Sequence, residues 1–242
     1  MLTLEHLAWA LPTGEEILKG VDLTVADGKL TVVTGPNGGG KTSLAKVIAG
    51  VEQATGGRIV LNGEDLTNAS VTERARRGIA YAFQQPVRFK GITVRDMLEL
   101  AAGGQLNEAA LCALLGKVGL CANEYIDRDI DASLSGGEAK RIEIASVLAR
   151  NAEVSIFDEP EAGIDLWSFT RLVDTFEDLR RTGHGTLIVI SHQERILSIA
   201  DDIVVIADGR VRDHGPRVKI LPTLLAGEMA GRCPLGKEDA KV

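Results

Sequence analysis

Eight consecutive residues, Gly35-Pro36-Asn37-Gly38-Gly39-Gly40-Lys41-Thr42, place four glycines, a lysine and a hydroxyl in the spacing G-x-x-x-x-G-K-[ST]. Glycines let such a loop curl into a nest of inward-pointing N–H groups, and a helix opening at its end adds the positive pole of its dipole. Together these favour phosphate. Lys41 is then the cation for β- and γ-phosphate charge, Thr42 offers a hydroxyl to Mg²⁺, and Ser43 extends the nucleotide-facing stretch. A second chemical pair is Asp158-Glu159, which ends the apolar run Val154-Ser155-Ile156-Phe157. At the carboxyl end of a strand, Asp158 is placed to reach Mg²⁺ and Glu159 to polarise a water for in-line attack on a γ-phosphate. A third run, Leu134-Ser135-Gly136-Gly137-Glu138, reads in two compatible ways. Ser135 and Glu138 have capping-box spacing ahead of Ile144, Val147 and Leu148, and the N–H groups at such a helix start form an anion site.

These residues need a sheet to hold them. Leu30 to Thr34 is a short, almost wholly apolar strand running into the Gly-rich loop, and Leu44, Val47 and Ile48 mark an amphipathic helix after it. Val154 to Phe157, Thr186 to Ile190 and Ile203 to Ile206 have the same buried-strand character. Near the N-terminus, Leu2 and Leu4, then Val21, Leu23 and Val25, alternate with polar residues as half-buried strands do. From Thr93 to Gly119 the texture changes to a Leu/Ala-rich helical pattern with glycine breaks. The expectation is one α/β domain over 1–242. Residues 1–85 and 135–226 form its nucleotide-binding core, 86–134 a helical subdomain, and 227–242 a mobile tail.

Composition bounds the class. The 242 residues carry 27 Lys+Arg against 34 Asp+Glu, a formal charge of −7, which argues against a nucleic-acid partner. No run approaches the ~18 apolar residues of a membrane span. The start Met1-Leu2-Thr3-Leu4-Glu5 lacks the basic and apolar regions of a secretion signal, so a cytoplasmic location is expected. Cys112, Cys121 and Cys233 have no C-x-x-C spacing and point to neither a disulfide framework nor a metal site. Arg74, Arg76 and Arg77 read as a solvated basic helix face, with a docking site as the other reading. The 27 glycines ask where the backbone needs unusual dihedrals or close approach to a ligand.

The order of phosphate loop, then Leu-Ser-Gly-Gly-Glu, then the strand ending Asp158-Glu159-Pro160 resembles the ATP-binding-cassette (ABC) ATPases. The resemblance runs from Trp9 to about Arg210. It implies a P-loop NTPase fold with a mixed core sheet, N-terminal antiparallel strands and an inserted helical subdomain, with ATP and Mg²⁺ as ligands. It also implies roles for further residues. Gln84, favoured over its neighbour Gln85, resembles the glutamine that joins Mg²⁺ and the attacking water to the helical subdomain. Asp165 resembles the aspartate of the loop at the subunit boundary. His192, alone of the four histidines in following a buried strand, resembles the histidine that bonds the γ-phosphate. Trp9 resembles the aromatic that stacks on adenine, with plain core packing as the other reading. Glu159, His192 and Gln84 would be the catalytic set, and Thr42, Gln84 and Asp158 the metal set. In this family Ser135, Gly136, Gly137 and Glu138 of one copy close over the nucleotide of another, so hydrolysis requires an ATP-dependent homodimer.

Two partners fit. The segment from Ala82-Phe83-Gln84-Gln85-Pro86 to Gly91-Ile92, the pair Lys140-Arg141, the acid Glu161, and His192-Gln193-Glu194-Arg195-Ile196-Leu197 are similar to SufC, the ATPase of the Suf iron–sulfur cluster assembly machinery. That resemblance implies a soluble scaffold partner of the SufB/SufD kind, engaged through the Gln84 loop and the helical subdomain. The alternative is a nucleotide-binding subunit of an ABC transporter docked on a membrane permease.

Overall fold

In the computed structural model, which describes residues 1–183 and 185–229, the chain opens with β1 (Leu2–Ala10), β2 (Glu16–Val25) and β3 (Leu30–Thr34). There follow α1 (Lys41–Ala49), β4 (Gly56–Leu61), β5 (Glu64–Asp65), α2 (Val71–Arg76) and β6 (Ile79–Ala82). Next come α3 (Val94–Ala102), α4 (Glu108–Lys117), α5 (Ala122–Tyr125) and α6 (Gly136–Ala149). The rest is β7 (Val154–Asp158), α7 (Leu166–Thr182), β8 (Thr186–Ile190), α8 (Glu194–Ile199), β9 (Asp202–Ala207), β10 (Arg210–Pro216) and α9 (Arg217–Met229). The sheet is mixed, as expected. Six strands lie in the order β10-β9-β3-β8-β7-β6, parallel throughout except for the β9–β10 hairpin. A separate antiparallel sheet has the order β2-β1-β4-β5.

The apolar runs form buried strands because both faces of the parallel sheet are covered. Successive residues point to opposite faces. Val32 and Phe157 thus join one apolar cluster with α6 to α9 and the helical insert. Val33 and Ile156 join the other, with α1 and the antiparallel sheet. Through Leu44, Val47 and Ile48, α1 is wedged between the two sheets. The helical insert hangs on α6: Val94, Leu98, Leu111 and Leu115 pack into the same cluster as Ile142 and Ala145. At the other end of the chain, α9 extends three residues past the point where the sequence loses its periodicity. The remainder of the expected tail, with Cys233, lies outside the described residues, as does His184.

One basic residue is not where its surroundings in the sequence put it. Arg76 and Arg77 are exposed on α2, whereas Arg74 is fully buried. Its guanidinium donates to the carbonyls of Ala69 (3.0 Å), Thr67 (2.9 Å), Val47 and Ile48 (2.9 Å). The last two belong to the end of α1, whose carbonyls lack full helical partners, Val47 having only the long bond from the Gly50 amide at 3.3 Å, and carry the negative pole of the dipole. A six-residue helix is too short to display a period, so its buried member could not be told from its neighbours. Arg74→Met should lower unfolding free energy by about 2–4 kcal/mol, since it strands buried carbonyls. Urea unfolding measures this, and a loss under about 0.5 kcal/mol, the scale of surface substitutions, would restore the solvated-face reading.

Candidate functional site

The four parallel strands β3, β8, β7 and β6 end at the same edge of the sheet. The phosphate loop follows β3, Asp158 and Glu159 close β7, His192 follows β8, and Gln84 follows β6. Their register is tight: Val33 pairs with Ile190, Asp158 with Ile190, and Ala82 with Phe157. This edge is where open α/β sheets receive ligands.

The phosphate loop is fixed by neighbours that leave room only for glycine. A Cβ on Gly35 would lie 2.0 Å from the carbonyl oxygen of Ile206, and one on Gly39 2.8 Å from the same atom. Gly35 also has φ +134°, and Gly40, the residue that opens α1, has φ +103° and no side-chain cap. The first amides of α1 are therefore left to an outside acceptor, the arrangement that suits phosphate. Lys41 is folded over the loop and donates to the carbonyls of Gly35 (2.8 Å) and Pro36 (2.9 Å). Burial lowers its pKa, against the pull of Glu159 and Asp158 in the other direction. A cavity of about 480 Å³ opens beside the loop, lined among others by Asn37, Gly38, Thr42, Ser43, Gln84 and Glu159.

Asp158 is fully buried. One carboxylate oxygen accepts from the Thr42 hydroxyl at 3.1 Å and the other from the Tyr81 hydroxyl at 2.9 Å. Burial pushes its pKa up, and the two hydroxyl donors oppose that shift. Tyr81 carries no local signal in the sequence for this role; the pairing of β6 with β7, which sets it opposite Ile156, brings it there. Glu159 has φ +45°, an uncommon backbone for a residue with a side chain, held by its amide donating to the Ile190 carbonyl at 3.0 Å. The Gln84 amide donates to its carboxylate at 2.7 Å. Strand ends thus bring Gly35 to Ser43, Gln84, Asp158 and Glu159 to one place. His192 lies exposed in the turn after β8, beside Ser191, whose hydroxyl donates to Glu161 at 2.6 Å.

A second cluster forms at the start of α6. Ser135 and Glu138 make the expected capping box, and Glu138 also accepts from the Tyr125 hydroxyl. Those hydrogen bonds, Tyr125 first, hold the Glu138 carboxyl down at about 2. A Cβ on Gly137 would lie 2.6 Å from the Gly163 carbonyl, so this glycine is required by the fold. Gly136 is different: nothing among the described residues approaches its Cβ position within 4 Å. Asp165 caps α7 through the amides of Trp167 (3.1 Å) and Ser168 (3.0 Å). None of Ser135, Gly136, Gly137, Glu138 and Asp165 lines the phosphate-loop cavity of the same chain. Trp9 stands half-buried on β1, packed against the apolar cluster that contains α1, and the cavity wall nearest the antiparallel sheet is Ile17 of β2 instead.

Residues 18–162 match the family model described as ABC transporter. The chain belongs to the ABC transporter ATPase family. It is 40% identical over 208 residues to an uncharacterized ABC transporter ATP-binding protein, MJ0035, of Methanocaldococcus jannaschii, covering 83% of each. It is 33% identical over 218 residues to the probable ATP-dependent transporter ycf16 of Cyanophora paradoxa, covering 84% of this chain and 83% of that one. In structure it is similar to the ATP-binding cassette MJ0796, solved as a dimer in a post-hydrolysis state with ADP and Pi. There the TM-score is 0.81 at 22% identity, over 90% of this chain and 99% of the other.

The ABC ATPase binds ATP with Mg²⁺ and hydrolyses it. The residues present fit that ion. A buried carboxylate that burial alone would drive towards neutrality, a hydroxyl at 3.1 Å from it and a nearby carboxamide make an oxygen-rich set. Magnesium binds through few protein oxygens and retains water and phosphate ligands. Among the described residues no group of three or more His, Cys, Asp or Glu is placed to hold a metal ion.

The depressed Glu138 pKa implies a stability term present above its ordinary value of 4.5 and lost as pH falls towards about 2. Glu138→Gln should therefore melt at lower temperature than the parent at pH 7, with the gap closing as the pH is brought from 4.5 towards about 2. A gap independent of pH in thermal melts would contradict the hydrogen-bonded carboxylate.

Proposed function

We propose that the chain is the nucleotide-binding subunit of an ABC transporter, working as an ATP-dependent homodimer on a separate membrane permease. The observation that carries the dimer is the division of the site. The phosphate-loop cluster holds the lysine, the carboxylates and the glutamine, while the α6 start, with the open face of Gly136, sits away from that cavity. A second copy supplies to each nucleotide the helix start that its own chain cannot. Closure then adds N–H donors and a dipole pole to the γ-phosphate, and loss of that phosphate removes the reason for closure. The membrane partner is supported by the similarity to MJ0035, an ABC transporter ATP-binding protein, and to ycf16, a probable ATP-dependent transporter. No helix among the described residues is long and apolar enough to cross a membrane.

Within one copy the roles follow from position. The amides of Gly38 to Thr42 and the Lys41 ammonium bind and orient the phosphates. Thr42, Asp158 and Gln84 would hold Mg²⁺, which supplies charge neutralisation on the phosphate oxygens when bound. Glu159, held by its left-handed backbone and by Gln84, is the base that orients a water. His192, exposed at the adjacent strand end, is the donor to the γ-phosphate. Asp165 serves the contact between copies.

A second reading keeps a specific footing in this chain's own residues. Lys140-Arg141 after the capping box, Glu161, and Gln193-Glu194 after His192 are similar to the Suf ATPase, whose partner is a soluble iron–sulfur scaffold. Glu161 is no idle acid here, since it is bonded to Ser191 beside His192.

Lys41→Ala should weaken ATP binding at least 10-fold in equilibrium titration, and unchanged affinity would undo the phosphate-loop assignment. Glu159→Gln should bind ATP, lose turnover by 100-fold or more, and sediment as a dimer only with nucleotide and Mg²⁺. A variant that stays monomeric would count against the divided site. Affinity purification of the tagged chain decides the partner. Recovery of an integral membrane permease supports the transporter reading, and recovery of a soluble scaffold replaces it with the second.

A further inference from the structure

Two charged residues of α6 have no part in the roles above and are nevertheless buried. Lys140 is 0% exposed and Glu143 6%. They are one turn apart, with the ammonium 3.9 Å from a Glu143 oxygen. Burial pushes the Glu143 carboxyl up to about 7 and the Lys140 ammonium down, and their mutual attraction opposes both shifts without cancelling either. A lysine and a glutamate at such positions are costly relative to apolar residues of like volume, so what they touch matters.

What they touch is the backbone of the Gln84 loop. The Glu143 carboxylate accepts from the Phe83 amide at 3.0 Å. The Lys140 ammonium donates to the carbonyl of Phe83, to that of Gln84 at 3.2 Å, and to that of Asp158 at 3.2 Å. The reason lies in the sheet. β6 is its outermost strand and ends at Ala82, so the half-buried Phe83 and the exposed Gln84 leave the ladder with backbone polar groups to satisfy. The pair supplies those partners and in the same stroke ties the loop to the end of β7. The Gln84 side chain then meets Glu159 at 2.7 Å.

We propose that Lys140 and Glu143 form a buried clamp that positions Gln84 against Glu159, so that both are positioning residues for ATP hydrolysis. The clamp stands on the helix that Ser135, Gly136 and Gly137 open, so any shift of that helix is carried to the Gln84–Glu159 contact through backbone hydrogen bonds. The inference rests on the ATPase activity of the chain and not on which partner it serves.

The test is steady-state ATPase kinetics combined with thermal melts of the full chain. The variants are Lys140→Met/Glu143→Gln, which leaves no unpaired buried charge, Gln84→Ala, and the three changes together. The clamp predicts that the double variant loses about 10-fold or more in kcat while KM for ATP moves less than about 3-fold, because a misplaced catalytic contact costs rate and not ground-state binding. It also predicts that the triple variant is no slower than Gln84→Ala alone to within about 2-fold, because both act through one contact. Parental kcat in a folded double variant, or losses that multiply in the triple variant, would overturn it. If the double variant does not fold, Glu143→Gln alone replaces it. Its amide keeps the Phe83 bond but turns a donor towards Lys140, and it should lose about 3-fold in kcat without KM change, and cost nothing further when added to Gln84→Ala. Additive loss there overturns the clamp equally.

Discussion

The parallel register of β3, β8, β7 and β6 is the constraint on which the site depends. Each strand hands over its chemistry at its carboxyl end, and hydrogen bonding between neighbours aligns those ends to within a residue. A slip of one residue would turn the Asp158 carboxylate from the Thr42 and Tyr81 hydroxyls to the opposite face of the sheet. Register is held by burial on both faces: every residue of β3, β7 and β8 is buried, so a slipped strand has no solvated face on which to leave a wrong side chain.

Close backbone approach completes what register begins. The Ile206 carbonyl at the end of β9 abuts Gly35 and Gly39, and the Gly163 carbonyl abuts Gly137. In both places a polar backbone atom of a distant segment occupies the volume of an absent Cβ, which fixes the loop without a side chain to obstruct its amides. Gly136 has open space instead, and Asp165, two residues after Gly163, is engaged as a helix cap. The phosphate-loop half of the site is thus braced internally, while the α6 half is braced behind and open in front.

Much of this was legible in the residues. Buried strands, phosphate loop, acidic pair and capping box all have local signatures, because their physics acts within a few residues: hydrophobic period, glycine dihedrals, side-chain-to-amide bonds three residues apart. The two arginines flanking Arg74 in type show the limit. Arg74, Arg76 and Arg77 are chemically alike, and only the carbonyls at the end of α1, brought near by the packing of α2, make one of them a buried cap. Tyr81, Ile17 and Glu143 were missed for the same reason: each owes its importance to a partner dozens of residues away.

The sequence by itself determined the nucleotide chemistry. Lys41, Thr42, Asp158 and Glu159 occur in an order and spacing that few other functions would require, and the family follows from them. Tertiary structure decided which groups act together. It set Ile17 rather than Trp9 in the wall of the phosphate-loop cavity, and Tyr81 beside Thr42 on the Asp158 carboxylate. It kept the α6 start apart from the phosphate loop, and placed a buried Lys140–Glu143 pair under Gln84. Spacing along a chain encodes local geometry, but burial and desolvation are set by what arrives from elsewhere, and those give a lysine or a tyrosine its function.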